Sequence, residues 1–279
     1  HVDVFHVETA LNNKMYDDQL MFLSRPEEDW TNADRLKFRS MKWSMEKMPR
    51  GAKRKLLHSV PADYRVIGVN AGETEAAHQK TLQKCWQQHC VEVDGQSDVV
   101  VYGIPFVSPY NVNSIMNPLL VRVMALGYFF NMYRNKPLVK EDGTLIITHP
   151  CYDEFDAQHH PSYIEFFNRC LPQTRDAGEL AHRWEEEFAN NPNYIEMYRR
   201  GNAYHGVHPF YMWYWAENGN QHVGRVIVVG AENDHVPERL GWETADSMQQ
   251  ALRMARQTHG QDPDISLVHH PPFVMTDVQ

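Results

Sequence analysis

The stretch Ser97-Asp98-Val99-Val100-Val101-Tyr102-Gly103-Ile104-Pro105 decides the fold, because it is a nearly continuous apolar run that ends in glycine and proline. Consecutive apolar residues predict a strand buried on both faces, and such strands are typical of parallel or mixed sheets covered by helices. A polar loop follows, and helical spacing of apolar residues runs from about Asn117 to Tyr133. Strand, loop and helix in this order predict one unit of an α/β fold.

The alternation of strands and helices continues on both sides of this unit. The sequence predicts further strands at residues 2–11, 64–72, 143–148, 223–230 and 265–268, and further helices at residues 73–89, 162–199 (with two turns) and 244–258. Together these elements predict a layered α/β architecture in which a mixed or parallel sheet carries helices on both faces.

Residues 25–55 differ in composition from the rest of the chain, because aromatic and methionine side chains recur irregularly among many charged residues. We interpret this segment as a helical insertion, either an ordinary amphipathic helix or a lid. We accordingly predict two domains: residues 1–63 as the end of an N-terminal domain with this insertion, and residues 64–279 as the C-terminal α/β substrate-binding domain of a two-domain enzyme. The chain starts at His1 within a strand-like run, which suggests a fragment or a processed product.

The composition excludes several classes of partner. The chain is 42% hydrophobic and 23% charged, close to the averages of globular proteins, and its net charge of −9 argues against binding nucleic acid. No run approaches the ~18 apolar residues that span a bilayer, and no signal-peptide pattern is present. Four cysteines without a C-x-x-C pair indicate reduced thiols. We therefore expect a cytoplasmic protein without membrane or nucleic-acid partners, and a homo-oligomer stays open.

The common catalytic signatures are absent from the sequence. It contains no G-x-x-x-x-G-K-[ST] phosphate loop, no G-x-G-x-x-G, no G-x-S-x-G and no H-E-x-x-H. These absences argue against a kinase, a simple dehydrogenase, a common α/β-hydrolase and a zincin.

Histidines occur in pairs along the chain. His205 and His208 are three residues apart and would share one face of a helix, where two imidazoles can bind a metal. A glycine between them and a proline after them argue against a regular helix, so a loop position or a substrate contact is favoured. We interpret His159-His160 and His269-His270, each followed by proline, as loop residues.

The polar loop at residues 103–118 is the most informative segment, because it is dense in asparagine, serine and tyrosine. It lies between a buried strand and a helix, and ligands of open α/β sheets bind at the carboxyl ends of strands. Backbone amides at the start of the next helix would face an anion. The alternative is a loop that only caps the helix.

Four motifs follow one another in a characteristic order. They are Ala71-Gly72-Glu73-x-x-Ala76-Ala77-His78, the aspartate-led strand Asp98–Val101 with Gly103-x-Pro105, Asp142-Gly143-Thr144-Leu145-Ile146-Ile147, and His208-Pro209-Phe210 before Arg225-Val226-Ile227-Val228. In this order they resemble the C-terminal half of the lactate racemase family, and the resemblance covers most of the chain.

The resemblance implies a two-domain racemase or epimerase of 2-hydroxy acids, with the substrate bound between the domains. In that family a nickel-pincer nucleotide takes hydride from carbon 2 and returns it to either face. The lysine that tethers this cofactor, the nickel-binding histidine and the acid/base histidines lie in the family's N-terminal domain, and no matching segment occurs in this sequence. We therefore expect this chain alone to be catalytically incomplete and assign it no catalytic or metal-binding residue.

The resemblance also suggests residues that bind the substrate. The family holds the substrate carboxylate with a glutamine and a lysine in the polar loop, where this chain carries Asn113 and Met116 or Asn117, and Phe210 lies where an aromatic contact belongs. The predicted set is Tyr110, Asn111, Asn113, Asn117 and Phe210. Because the loop has no lysine and asparagine offers only neutral hydrogen bonds, we expect a substrate other than lactate, with Arg122 as a candidate compensating cation.

Two other functions stay open. The α/β domain could bind an organic acid or a sugar acid without turnover. Alternatively, the chain could be a metal-dependent hydrolase that uses His205, His208 and a carboxylate such as Asp234 or Glu217.

Overall fold

The computed structural model describes residues 3–12, 16, 20–25, 27–60, 64–112, 114–130, 136–268 and 275–279. The chain forms two compact units, His1–Val91 (unit 1) and Glu92–Gln279 (unit 2). The predicted boundary after residue 63 falls inside unit 1, because the strand and helix that follow it contact the first strand of the chain.

The described residues of unit 1 form a two-stranded sheet, three α-helices and two short 3-10 helices, Met21–Ser24 and Glu27–Asp29. In chain order its elements are β1 (His6–Leu11), α1 (Asn32–Lys47), α2 (Arg50–Ser59), β2 (Val66–Gly72) and α3 (Thr74–His89). The strands β1 and β2 pair antiparallel, and α3 contacts both. The predicted insertion at residues 25–55 contains α1 and part of α2, and its status as an insertion and its role as a lid stay predictions.

The helix starts of unit 1 follow from local capping. The hydroxyl of Thr31 accepts a hydrogen bond from the Asp34 amide, and the Asp34 carboxylate accepts one from the Thr31 amide, which forms a capping box at the start of α1. The carboxylate of Glu73 accepts from the first amides of α3 in the same way. These contacts explain why both helices begin where the sequence changes from turn to helical spacing.

Unit 2 contains the parallel sheet that the sequence predicts. Its strands, with β3 starting at the unit boundary, are β3 (Val91–Val93), β4 (Ser97–Gly103), β5 (Val139–Thr148), β6 (Arg225–Val229), β7 (Glu243–Ala245), β8 (Ile265–Val268) and β9 (Thr276–Val278). Five of them form one sheet in the order β7-β6-β5-β4-β8, and every neighbouring pair is parallel. The strands β3 and β9 pair separately.

Helices cover both faces of this sheet. The α-helices in the described part of unit 2 are α4 (Pro118–Val123), α5 (Pro161–Glu165), α6 (Ala177–Leu180), α7 (Glu186–Asn190), α8 (Pro192–Arg200), α9 (His208–Trp215), α10 (Glu217–His222), α11 (His235–Leu240) and α12 (Met248–His259). Three π-helical segments, Met124–Tyr128, Phe166–Cys170 and Ala181–Glu185, continue α4, α5 and α6.

Two hydrophobic cores lie on opposite faces of the sheet. Val100 and Tyr102 of β4 pack into the larger core with side chains of α4, α5, α9 and α11, whereas Val99 and Val101 pack against Ala251 and Ala255 of α12. The alternation along β4 explains its continuous apolar run, because both sets of side chains are buried. The predicted α/β layering with helices on both faces is confirmed, and the main sheet is entirely parallel.

Among the described residues, no helix is long and apolar enough to cross a bilayer.

Candidate functional site

Three strand ends meet at the carboxyl edge of the sheet in unit 2. Gly103 at the end of β4 pairs with Thr148 at the end of β5, and Thr148 pairs with Val229 at the end of β6. The loops that leave these ends are therefore neighbours, at the edge where parallel α/β sheets bind their ligands. Most of the predicted site residues that the structure describes lie in or near these loops.

The side chain of the predicted residue Asn111 stabilises the polar loop through hydrogen bonds within it. Its Oδ1 accepts hydrogen bonds from the Ser108 amide at 2.6 Å and the Ser108 hydroxyl at 2.7 Å, and its Nδ2 donates to the Phe106 carbonyl at 2.9 Å. The side chain is buried. Asn111 therefore fixes the shape of the loop.

Asn117 caps the helix that follows the loop. Its Oδ1 accepts from the amides of Leu119 at 3.1 Å and Leu120 at 3.2 Å, at the start of α4. This is the capping role that the sequence left open as the alternative. The buried Nδ2 of Asn117 has no partner among the described residues. Asn113 lies outside the described residues.

Tyr110 connects the loop to a group of aromatic and imidazole rings. Its hydroxyl lies 2.5 Å from the hydroxyl of Tyr128, and its ring centroid lies 5.4 Å from His208 and 6.3 Å from Tyr204. We call the group of Tyr110, His160, Tyr163, Tyr204 and His208 the Tyr–His cluster.

His160 fastens the polar loop to the start of α5. Its Nε2 donates to the Tyr110 carbonyl at 3.0 Å, so its Nδ1 is the nitrogen that accepts from the Ser114 hydroxyl at 3.3 Å. The ring is fully buried, and burial lowers the pKa of His160 to about 4. His160 lies in a loop, as the sequence predicts, and uses both ring nitrogens inside the fold.

His208 presents a neutral imidazole at the start of α9. The Tyr163 hydroxyl lies 2.5 Å from Nδ1 of His208, and burial lowers the pKa of His208 to about 4. Since Tyr163 is fully buried and finds its acceptor in Nδ1, the proton of His208 lies on Nε2. That Nε2–H makes no hydrogen bond with the described residues.

Tyr204 places a second neutral donor next to this imidazole. The ring centroids of Tyr204 and His208 are 4.4 Å apart, and Tyr204 also stacks on His160 at 4.9 Å. The Tyr204 side chain is partly buried, and burial raises its pKa, so the hydroxyl keeps its proton at neutral pH. The cluster can therefore donate hydrogen bonds from an imidazole and a phenol without carrying a charge.

A cavity of about 420 Å³ lies directly at the three strand ends. Its lining includes Phe106, after β4, and His149, after β5. The Nδ1 of His149 accepts from the Cys151 amide at 2.9 Å, so the proton again lies on Nε2. The thiol of Cys151 is fully buried and burial raises its pKa to about 12, which excludes it as a nucleophile at neutral pH.

Two residues that the sequence suggested for ligand contact belong to the core. Phe210 has no exposed surface and packs edge-to-face against Phe166 and Phe188. Arg122 is 1% exposed and donates to the Trp213 carbonyl at 2.7 Å and to the Glu217 carboxylate at 3.0 Å. Because its charge is already paired, Arg122 does not act as the compensating cation.

The residues predicted for a metal-dependent hydrolase do not assemble. His205 precedes α9 and contacts Tyr198, Glu217 pairs with Arg122, and Asp234 accepts from the Thr244 hydroxyl at 2.6 Å. In the described part of the chain, no group of three His, Cys, Asp or Glu side chains could hold a metal ion. His269 and His270 lie outside the described residues.

Comparison with solved structures gives distant matches only. No family model and no curated protein matches the chain. The lactate racemase apoprotein from Thermoanaerobacterium thermosaccharolyticum matches with a TM-score of 0.43 and 16% identity, over 77% of this chain and 43% of that one. A crystal structure of a protein from Thermotoga maritima matches with a TM-score of 0.39 and 11% identity, over 77% of this chain and 45% of that one. The chain spans less than half of either protein, and neither match carries weight for function.

Proposed function

We propose that this chain forms the substrate-binding side of an isomerase that racemises or epimerises a 2-hydroxy acid. The observation that carries the proposal is the pair of neutral donors, the Tyr204 hydroxyl and the His208 Nε2–H, in the cluster that Tyr110 joins to the polar loop. A 2-hydroxy acid offers carboxylate and hydroxyl oxygens that accept from such donors. The order of the sequence motifs supports the same class of enzyme.

The chemistry of the Tyr–His cluster favours a hydroxy acid larger than lactate. Neutral donors bind a carboxylate about half as strongly as charged ones, so the substrate gains more of its affinity from other contacts. The rings of Tyr110, Tyr204 and His208 provide those contacts for an aromatic or large apolar substituent. We therefore choose mandelate, which carries a phenyl group on carbon 2, as the first ligand to test.

The nickel-pincer nucleotide belongs to the proposal through the sequence resemblance alone. When bound, it would supply the acceptor for the hydride of carbon 2. The described residues offer no donor set for a metal, so we assign no nickel ligand and no step of hydride transfer to them. The role proposed for this chain is to bind and orient the substrate.

The first experiment measures mandelate binding to the chain by NMR titration. His208→Asn keeps an acceptor for the Tyr163 hydroxyl and removes the Nε2 donor, and Tyr204→Phe removes only the hydroxyl. We expect each variant to weaken binding about tenfold, which corresponds to the loss of one hydrogen bond. The control is His222→Gln, which keeps a donor for the Val139 carbonyl. Unchanged binding in both cluster variants would contradict the proposal.

The second experiment measures turnover by the gene product expressed together with the cofactor-building enzymes. We expect each single enantiomer of mandelate to yield the other, together with bound nickel and a nucleotide-sized mass increase. Binding at the cluster without turnover would instead support the organic-acid binding domain.

A further inference from the structure

The cavity at the ends of β4, β5 and β6 has no role in the proposed function. We call it the His149 pocket, and its walls include Ile104, Pro105, Phe106, Pro150 and Val229. None of the described residues that line it is an aspartate, glutamate, lysine or arginine. The lining therefore offers no ion-pair partner to a charged group that enters the pocket.

His149 contributes a polar imidazole to the lining of this pocket. The residue is 3% exposed, and burial lowers its pKa to about 4, so the ring is neutral. Its Nδ1 accepts from the Cys151 amide, which leaves the proton on Nε2. This buried Nε2–H has no partner among the described residues. A buried donor of this kind is destabilising unless an acceptor satisfies it.

The backbone around His149 holds the imidazole in place. The His149 amide donates to the Val229 carbonyl at 3.3 Å, which ties the residue to the end of β6. Cys151 has a φ of 48°, a left-handed conformation that is strained for a residue with a side chain. In this conformation its amide reaches Nδ1 of His149. Backbone strain of this type is characteristic of binding and catalytic sites.

Aromatic rings next to His149 indicate the shape of the ligand. The Phe106 ring centroid lies 5.5 Å from that of His149, and Phe106 is stacked with Tyr152 at 6.3 Å. Phe106 is 40% exposed although it is fully apolar, so part of its ring is available to a ligand. A flat molecule can stack on such a ring.

We propose that the His149 pocket binds a small, flat, uncharged molecule whose carbonyl oxygen accepts a hydrogen bond from Nε2–H of His149. This ligand differs from the 2-hydroxy acid of the proposed function, which is charged and is bound at the Tyr–His cluster. The pocket is therefore a second site, with an aromatic amide as the simplest ligand that combines a ring with a neutral acceptor.

The test uses benzamide as the probe and the full chain as the protein. Binding is measured from backbone amide shifts at Gly103, Thr148 and Gly230, which line the pocket. We expect benzamide to shift these signals and benzoate, its charged analogue, to bind at least about tenfold more weakly. Equal binding of the two probes, or no shift with benzamide, would overturn the proposal.

Two substitutions test the role of the imidazole. His149→Phe keeps a ring but removes the donor, and we expect benzamide to bind about tenfold more weakly. His149→Gln places an amide donor near the position of Nε2, and we expect affinity within about threefold of the original. If His149→Phe fails to fold, the Gln variant still tests the donor. The control is His235→Gln, at an imidazole that does not line this pocket. Benzamide binding that is equal in the His149→Phe variant would contradict the assigned donor.

Competition separates this inference from the proposed function. We expect saturating mandelate to leave benzamide affinity unchanged, and His208→Asn to affect only mandelate. Displacement of benzamide by mandelate would show one shared site and refute a second one. Loss of mandelate binding with intact benzamide binding would count only against the proposed function.

Discussion

Lowering the pH from 7 to 5 is expected to destabilise unit 2 strongly, because three buried histidines stay neutral in the fold. Burial lowers the pKa values of His149, His160 and His208 to about 4, against an ordinary value of about 6.5. Between pH 6.5 and pH 4, these histidines bind protons in the unfolded chain but stay neutral in the folded chain. The free energy of unfolding therefore falls as the pH falls from 6.5 towards 4. From pH 7 to pH 5, each histidine removes about 2 kcal/mol, and the three together remove about 6 kcal/mol.

Urea unfolding at pH 7, 6 and 5 measures this effect. Amide signals of β5 report the unfolding of unit 2 alone. We expect the loss of stability to be about one third smaller in His149→Gln, because one of the three titrating groups is removed. The control His235→Gln makes the same substitution at a half-exposed imidazole.

A free energy of unfolding that is equal at pH 5 and pH 7 would refute the reasoning. It would mean that the histidines are protonated inside the fold or are accessible to solvent. The assignment of a neutral Nε2–H donor to His149 and to His208 would then be wrong as well.

Three substitutions away from these donors test the packing around the site, each by urea unfolding. Asn117→Ala removes the cap of α4 and should lower the free energy of unfolding by about 1 kcal/mol, whereas mandelate affinity stays the same. A change in mandelate affinity would indicate that Asn117 contacts the substrate. Arg122→Met leaves the Glu217 carboxylate unpaired and should lower the free energy of unfolding by about 3 kcal/mol. Adding Glu217→Gln should recover part of this stability. An unchanged stability of Arg122→Met would contradict the buried ion pair. Gly206→Ala places a Cβ 2.3 Å from the Phe188 carbonyl and should cost about 1–3 kcal/mol; an unchanged stability would contradict that close approach.

Local patterns predict most strands of the sheet. The apolar run at residues 97–105 corresponds to β4, because a strand buried on both faces is apolar at consecutive positions. The predicted strand at residues 265–268 corresponds to β8, whose Ile265 and Leu267 are exposed. The short strand β7 was missed, since three residues give too little periodicity. The strand β2 pairs with β1 outside the main sheet, and nothing in its own sequence specifies this partner.

The sequence predicted the polar loop and its place in the fold, whereas the roles of the predicted site residues stay predictions. The polar loop leaves the carboxyl end of β4 as expected. The donors at His149, His208 and Tyr204 depend on contacts between residues far apart in the chain, such as Tyr163 with His208 across 45 positions. No local pattern reports whether a histidine is buried or which of its nitrogens carries the proton. The same limit explains why Phe210 and Arg122 could not be recognised as core residues.

Titration of the chain with each enantiomer of mandelate tests the central claim most directly. A racemase or epimerase must hold both configurations at carbon 2 in one site. We therefore expect (R)- and (S)-mandelate to bind with affinities within about threefold of each other, to shift the Tyr204 and His208 signals, and to lose about tenfold in affinity in His208→Asn. Binding of a single enantiomer, or binding that His208→Asn does not affect, would contradict the account.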